Sequence, residues 1–174
     1  MITELFNKFG SYGLIILMFL SMYLLWNKHN LFFYYTFGIF VNVILNLILK
    51  GLFLQPRPSI DGKTFDLALR HGKRFLFKDG IPYDIFGMPS GHSQSAIFST
   101  VFIYLALRKN NVFYTYIAIS LLTMIQRITY NHHTFLQVCV GGFFGFILGY
   151  LFYYLATQKV KGEIREKVDD FGPI

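Results

Sequence analysis

The side chains best suited to chemistry in this chain are three cations and two imidazoles: Lys50, Arg57, Arg127, His92 and His133. They stand in three short stretches, Lys50 to Pro58, Pro89 to His92 and Arg127 to His133, each where an apolar run meets a polar break. Fixed cations suit a phosphoester or diphosphate, which brings two or more negative charges and spreads more over its equatorial oxygens when the phosphoryl group is transferred. Arg57 and Arg127 offer bidentate forks, and Lys50 a compact point charge. Two histidines let a displacement at phosphorus use one neutral ring as nucleophile and one protonated ring as general acid.

Pro89-Ser90-Gly91-His92 precedes an apolar run and reads as a helix start, whose N–H groups and positive dipole end form an anion cradle. Ser90 adds a hydroxyl donor, and Gly91 lets the backbone come close to the anion. His133 is the better nucleophile, because Gln137 one turn later can accept from one ring nitrogen and aim the other at phosphorus. His92 is then the general acid, and opposite protonation demands on the two rings predict a bell-shaped pH profile. His92, His132 and His133 could also be drawn as metal ligands. Three cations and no carboxylate in the motifs argue against a divalent ion, so neither a metal nor another cofactor is expected. His29 and His71 read as surface histidines.

Membrane helices must position these groups. Of 174 residues, 54% are hydrophobic and 20% aromatic, only 14% are charged, and the mean hydropathy is +0.46; the composition is that of an integral membrane protein. A span needs roughly 20 apolar residues, and five segments approach this: Leu5 to Trp26, Leu31 to Leu54, Gly91 to Leu107, Val112 to Thr129 and Phe135 to Ala156. An all-α, polytopic transmembrane helix bundle of about five spans follows, with residues 1–174 as one membrane domain. The first segment reads as a retained anchor, since Glu4 rather than a basic cluster precedes it. The net charge of +7 is assigned to contact with anionic headgroups, not to nucleic acid. Cys139 reads as a small buried residue.

Residues 55–89 form a long hydrophilic loop outside the bilayer, in which Asp66 to Phe77 is either an interfacial amphipathic helix or a solvated loop. Residues 157–174 read as a polar tail. With five spans, all three motif stretches meet on one face. Basic residues outside the motifs divide almost evenly between the two faces and lean only slightly towards a cytosolic C-terminus.

Helical spacing places further polar groups beneath the cations. Asn42, Asn46 and Lys50 share one face of the second span, Ser120, Thr123 and Arg127 one face of the fourth, and His133, Gln137, Gly141, Gly145 and Gly149 one row of the fifth. Glycines in that row let another helix approach closely. Snorkelling to headgroups would account for Lys50 or Arg127 singly, but not for the polar track under each.

These residues resemble the type 2 phosphatidic acid phosphatase superfamily, membrane phosphatases that share a helical core with vanadium haloperoxidases. The family's first motif, Lys, six residues, Arg-Pro, is matched by Lys50 and Arg57-Pro58, and its second, Pro-Ser-Gly-His, by Pro89 to His92. Its third, Ser-Arg, five residues, His, three residues, Asp, runs here as Gln126-Arg127, His133 and Gln137, which selects His133 over His132. The resemblance spans 42–149. It implies a phosphohistidine on His133, phosphate binding by Lys50, Arg57, Ser90, Gly91 and Arg127, no metal, and a lipid phosphate or diphosphate as substrate. Members usually have six spans, so the chain resembles a core lacking one N-terminal helix. Gln126 and Gln137 depart from the pattern, replacing a phosphate-binding serine and the aspartate that orients the nucleophile. The words around His92 and His133 resemble the dolichyldiphosphatase-like subgroup, although Gly91 follows the general superfamily word. That subgroup implies polyprenyl (dolichyl) diphosphate hydrolysis with a lumenal active face in the endoplasmic reticulum membrane of a eukaryote, or a plasma-membrane setting otherwise. Phosphatidate-type and undecaprenyl-diphosphate-type phosphatases, a catalytically silent lipid binder and a transporter remain alternatives.

Overall fold

A bilayer is spanned by helices or by closed β-barrels, whose strands alternate apolar and polar residues, so long continuous apolar runs satisfy their backbone as helices, and this requirement shapes the chain. The computed structural model describes residues 2–78 and 80–158; the charged stretch Lys159 to Asp170, expected to be a solvated tail, lies outside the described residues. The order of elements is α1 (Ile2–Leu25), α2 (His29–Phe53), α3 (Gly62–Arg70), β1 (Phe75–Lys78), β2 (Ile81–Asp84), α4 (Gly91–Leu107), α5 (Asn110–Thr129) and α6 (Phe135–Thr157). The all-α membrane bundle expected from composition is the architecture observed. Helices α1, α2, α5 and α6 are each long and apolar enough to cross a membrane. The remaining expected span, α4, has 17 residues and at about 1.5 Å per residue is the short one. It forms the centre of the bundle, packed against α1, α2, α5 and α6.

The bundle wears its apolar surface outward. Phe19, Phe40, Phe143 and Tyr150 are exposed, as side chains facing lipid must be. Cys139 is exposed as well, which corrects the expectation of burial: on a lipid-facing side of α6 an apolar thiol needs no cover. Inside, hydrogen bonds join helix to helix. Asn42 Nδ2 donates to Ser95 Oγ at 2.8 Å, Asn46 Nδ2 to Gln94 Oε1 at 2.8 Å, and Gln94 Nε2 to Asn42 Oδ1 at 3.0 Å. Tyr35 pairs with Ser99 at 2.8 Å, Ser21 with Tyr116 at 2.8 Å, and Thr100 with Ser120 at 2.8 Å. Such bonds average about 0.6 kcal/mol in a membrane, so their larger effect is to fix helix rotation and register.

The glycine row on α6 lies flat against α4. A Cβ on Gly141 would meet the Ser90 carbonyl, one on Gly145 the Gln94 carbonyl, and one on Gly149 the Phe98 carbonyl. The two backbones therefore touch along three turns.

Between α2 and α4 the chain builds a cap over one end of the bundle. Asp61 caps α3, accepting from Thr64 N–H at 2.9 Å, and α3 ends by Gly72 at φ +63°. The sequence reading of 66–77 offered a helix or a loop; instead the helix lies over 62–70, and Phe75–Lys78 pairs antiparallel with Ile81–Asp84 in the register Phe75↔Asp84, Leu76↔Tyr83. The glycine that turns the hairpin, Gly80, has φ +78°. Phe65 and Ala68 of α3 pack on Ile85 and Phe86 as a small second core.

Gly145→Ala should lower bundle stability by about 1–3 kcal/mol, read as a lower unfolding temperature in detergent. Gly51→Ala, where nothing lies within 4 Å of the added Cβ, should leave it unchanged or slightly raised. Equal behaviour of the two variants would contradict backbone contact between α4 and α6.

Candidate active site

Helix ends deliver the chemistry. Lys50 lies in the last turn of α2 and Arg127 in the last turn of α5, Ser90 caps the start of α4, and His133 stands one residue before Thr134, the cap of α6. The loops between them are stitched together: Gly87 N–H donates to Gln55 O at 2.7 Å, Ser90 N–H to Gln137 O at 3.0 Å, and His133 N–H to Arg127 O at 3.1 Å. Lys50, Arg127, His133, Ser90 and Gln137 are all buried. His92, Arg57 and Gly91 are partly exposed and so mark the opening.

The five groups singled out in the sequence share one electrostatic neighbourhood. Charges on Arg57, Lys50 and Arg127 all act on His133, and the same three act on His92, as does His132. Burial first, then the charges of Arg57 and Lys50, drive the pKa of His133 down to about 2, although the bond to the Gly87 carbonyl opposes the shift. The ring is neutral throughout the physiological range.

Its tautomer follows from that bond. His133 Nδ1 lies 2.8 Å from Gly87 O, and a carbonyl can only accept, so Nδ1 carries the proton and Nε2 keeps its lone pair. The orienting acceptor is thus Gly87 O, which corrects the expectation that the Gln137 side chain would do this. The reason is local. Gln137 is the third residue of a capping box: its Oε1 accepts from Thr134 N–H at 3.2 Å while Thr134 Oγ1 accepts from Gln137 N–H at 3.2 Å. Its Nε2 donates to Pro56 O at 2.9 Å. A Cβ on Gly87 would collide with this amide, so Gln137 buttresses the loop whose carbonyl holds the imidazole.

Gln126 acts on Arg127 in a similar way. Its Oε1 accepts from Arg127 Nε at 2.8 Å, and its Nε2 donates to Asn7 Oδ1 at 2.7 Å and Ser11 Oγ at 3.2 Å. Helix α1 therefore holds the guanidinium through one amide, and Gly10 makes room for it, since a Cβ there would overlap the Gln126 side chain.

At the start of α4, Ser90 Oγ accepts from Ser93 Oγ at 3.1 Å and Ser90 O from Gln94 N–H at 3.0 Å. The N–H groups of Gly91 and His92 have no acceptor within the helix.

Sequence reasoning missed Asp84. This buried carboxylate accepts from Lys50 Nζ at 3.0 Å and Arg74 Nη2 at 3.1 Å on Oδ2, and from Phe86 N–H at 3.0 Å on Oδ1. Burial alone would raise its pKa, but the hydrogen bond from Arg74, the Lys50 charge and the Phe86 N–H together hold it below the usual carboxylate range. One signal was available: Asp84 is the sole charged residue between Gly80 and Gly91, in the segment that leads into the start of α4.

A family model described as the PAP2 superfamily matches residues 31–161. The chain belongs to the PAP2 superfamily. Members are phosphatases, and membership supports a membrane-embedded phosphoric ester hydrolase of the lipid phosphatase type. No curated protein and no solved structure matches the chain. The matched span runs from the first turn of α2 past the end of α6, so all eight proposed site residues of this PAP2 chain fall inside it.

A neutral buried His133 has a consequence for stability. As pH falls below about 6.5, the unfolded chain takes up a proton that the folded ring refuses until about 2, so stability should decline on acidification, by up to about 1.4 kcal/mol per pH unit. Unfolding temperatures at pH 7 and pH 5 should differ more in the wild type than in His133→Asn; equal declines would mean the ring is not held neutral.

Proposed function

We propose that this protein hydrolyses a polyprenyl (dolichyl) diphosphate to the monophosphate, through a covalent phosphohistidine on His133 and without a metal. The observation that carries the reading is the imidazole of His133, fixed as its Nδ1–H tautomer by Gly87 O, with the charges of Lys50, Arg57 and Arg127 acting on it. Nε2 attacks the terminal phosphorus and the bond to the bridging oxygen breaks. Lys50, the Arg57 and Arg127 forks, Ser90 and the free N–H groups at Gly91 and His92 take the negative charge of the equatorial oxygens. His92, at the mouth, gives a proton to the departing lipid monophosphate. It then takes one from the water that attacks the phosphohistidine, which releases inorganic phosphate and restores neutral His133.

The lipid tail stays in the bilayer while the diphosphate enters past Arg57, Gly91 and His92. The choice of a polyprenyl diphosphate rests on the words Gly87-Met88-Pro89-Ser90, His133-Thr134 and Gln137-Val138, which are similar to the dolichyl subgroup. In a eukaryote the reading puts the active face in the lumen of the endoplasmic reticulum, where a lipid carrier is recycled for glycosylation. In a bacterium it belongs to the plasma membrane.

The test is phosphate release from a panel of polyprenyl diphosphates, phosphatidate and undecaprenyl diphosphate by purified wild type and His133→Ala. Wild type should favour the polyprenyl diphosphate, be indifferent to chelators and be inhibited by vanadate. His133→Ala should be inactive and trap no labelled phosphate, and His92→Ala should lose about 10²–10⁴-fold in rate. Preference for phosphatidate would overturn the substrate assignment; turnover by His133→Ala would overturn the nucleophile; no turnover of any lipid by wild type would point to a silent lipid-binding relative.

Gln137→Asp is a sharper probe. A carboxylate there could not donate the bond to Pro56 O and would set a negative charge against that carbonyl, and its shorter side chain would weaken the capping contact to Thr134 N–H. Because Gly87 O already orients the ring, activity should fall; a gain would mean the amide is merely a weak substitute for a carboxylate.

A further inference from the structure

Lys50 and Arg57 come from different elements, a helix end and a loop, and nothing in their own backbone sets them side by side. Both are bound to one residue. Asp84 takes Lys50 Nζ on Oδ2 at 3.0 Å, and its main-chain carbonyl takes Arg57 Nε at 2.6 Å. A bond through Nε leaves the Nη1/Nη2 edge of Arg57, the fork suited to two phosphate oxygens, out of that contact. Lys50 spends one of three donors on the carboxylate.

Asp84 is itself held from the other side. Arg74 grips it with Nη2 at 3.1 Å and Nε at 3.4 Å, and Arg74 Nη1 is tied to Leu47 O at 3.1 Å, one turn before Lys50 on α2. The Arg74 guanidinium lies against the rings of Phe75 and Phe86, at 5.6 and 5.4 Å. Phe86 N–H fixes the second carboxylate oxygen at 3.0 Å. The carboxylate is thus anchored by groups that make no part of the phosphate cradle.

We propose that Asp84 is a positioning residue of the phosphate site: anchored through Arg74 and the hairpin, it presents the Lys50 ammonium and the Arg57 fork to the substrate's terminal phosphate. This rests on the phosphatase reading above. The alternative role for a carboxylate beside these cations is simple charge compensation, and the two roles predict opposite signs. Under compensation, removing the negative charge strengthens the field and tightens anion binding. Under positioning, removing it frees Lys50 to wander and loosens anion binding, although the site has become more positive.

The measurement is vanadate inhibition and steady-state kinetics of the full-length protein in detergent micelles. Asp84→Asn should raise the vanadate inhibition constant by about ten- to a hundred-fold, the scale of one charged hydrogen bond, and should raise KM more than it lowers kcat. In a Lys50→Gln background the same change should have little further effect on vanadate, because the group it positions is gone. Asp84→Glu should recover part of the loss. An unchanged or lower vanadate constant in Asp84→Asn, or an equal loss with and without Lys50, would overturn the proposal. Should Asp84→Asn fail to fold, Arg74→Gln removes the anchor while keeping the Lys50 pair, and must also weaken vanadate binding; no change there overturns it equally. Wild type that neither releases lipid phosphate nor binds vanadate would remove the phosphatase reading and this inference with it, an outcome distinct from an active wild type with indifferent Asp84 variants.

Discussion

Backbone contact between α4 and α6 is the constraint from which the rest of this structure follows. At glycines 141, 145 and 149 no side chain of α6 stands off the neighbouring helix, and carbonyls of Ser90, Gln94 and Phe98 lie directly on the α6 surface. Their starts are thereby brought to one level, where Ser90 N–H donates to Gln137 O. That single alignment sets the anion-binding end of α4 beside His133, which immediately precedes α6. Lipid offers no hydrophobic drive for helices to associate, so close approach and interhelical polar bonds have to do it. The Asn42–Ser95, Asn46–Gln94 and Thr100–Ser120 bonds then fix how α2 and α5 rotate against α4, and rotation decides that Lys50 and Arg127 point inward rather than to lipid.

Cations gathered at a membrane rim repel one another, and burial removes the water that would screen them. Two kinds of neighbour offset this. Asp84 joins Lys50 and Arg74 through its carboxylate and Arg57 through its carbonyl, and Gln126 holds Arg127 through a neutral amide. A carboxylate serves the cations nearest the cap, where the hairpin can reach. Deeper, between α1 and α5, an amide relays to Asn7 and Ser11, and it does so without burying another charge.

The helices and the inward rows were legible in the sequence because each has a periodic signature, and fixed motif spacing singled out two histidines that the fold sets near the three cations. Lys50 follows Asn42 and Asn46 at helical spacing, and five residues separate Arg127 from His133. The hairpin was not legible: Phe75 to Asp84 alternates over only four residues a strand, too few to outweigh the amphipathic helix the same letters allow. Asp84 escaped for a related reason, since its pairing with Lys50 joins residues 34 apart through a fold that spacing does not encode. Gln137 was found but misjudged. Thr134-Phe135-Leu136-Gln137 is a readable capping box, and in the structure the amide turns to the start of its own helix and to Pro56 O instead of the preceding imidazole.

With the Gln137 amide so committed, the partner of the His133 ring is a backbone carbonyl. Gly87 can bring its oxygen to 2.8 Å from His133 Nδ1 only because it lacks a Cβ, whose place the Gln137 amide occupies. A carbonyl sets the same tautomer that a carboxylate would, yet adds no negative charge to stabilise an imidazolium. In a pocket already positive, that keeps the free ring neutral, the state that the proposed attack on phosphorus requires. It also leaves the phosphorylated ring, which carries positive charge in the proposed chemistry, without a compensating anion, and so favours its attack by water.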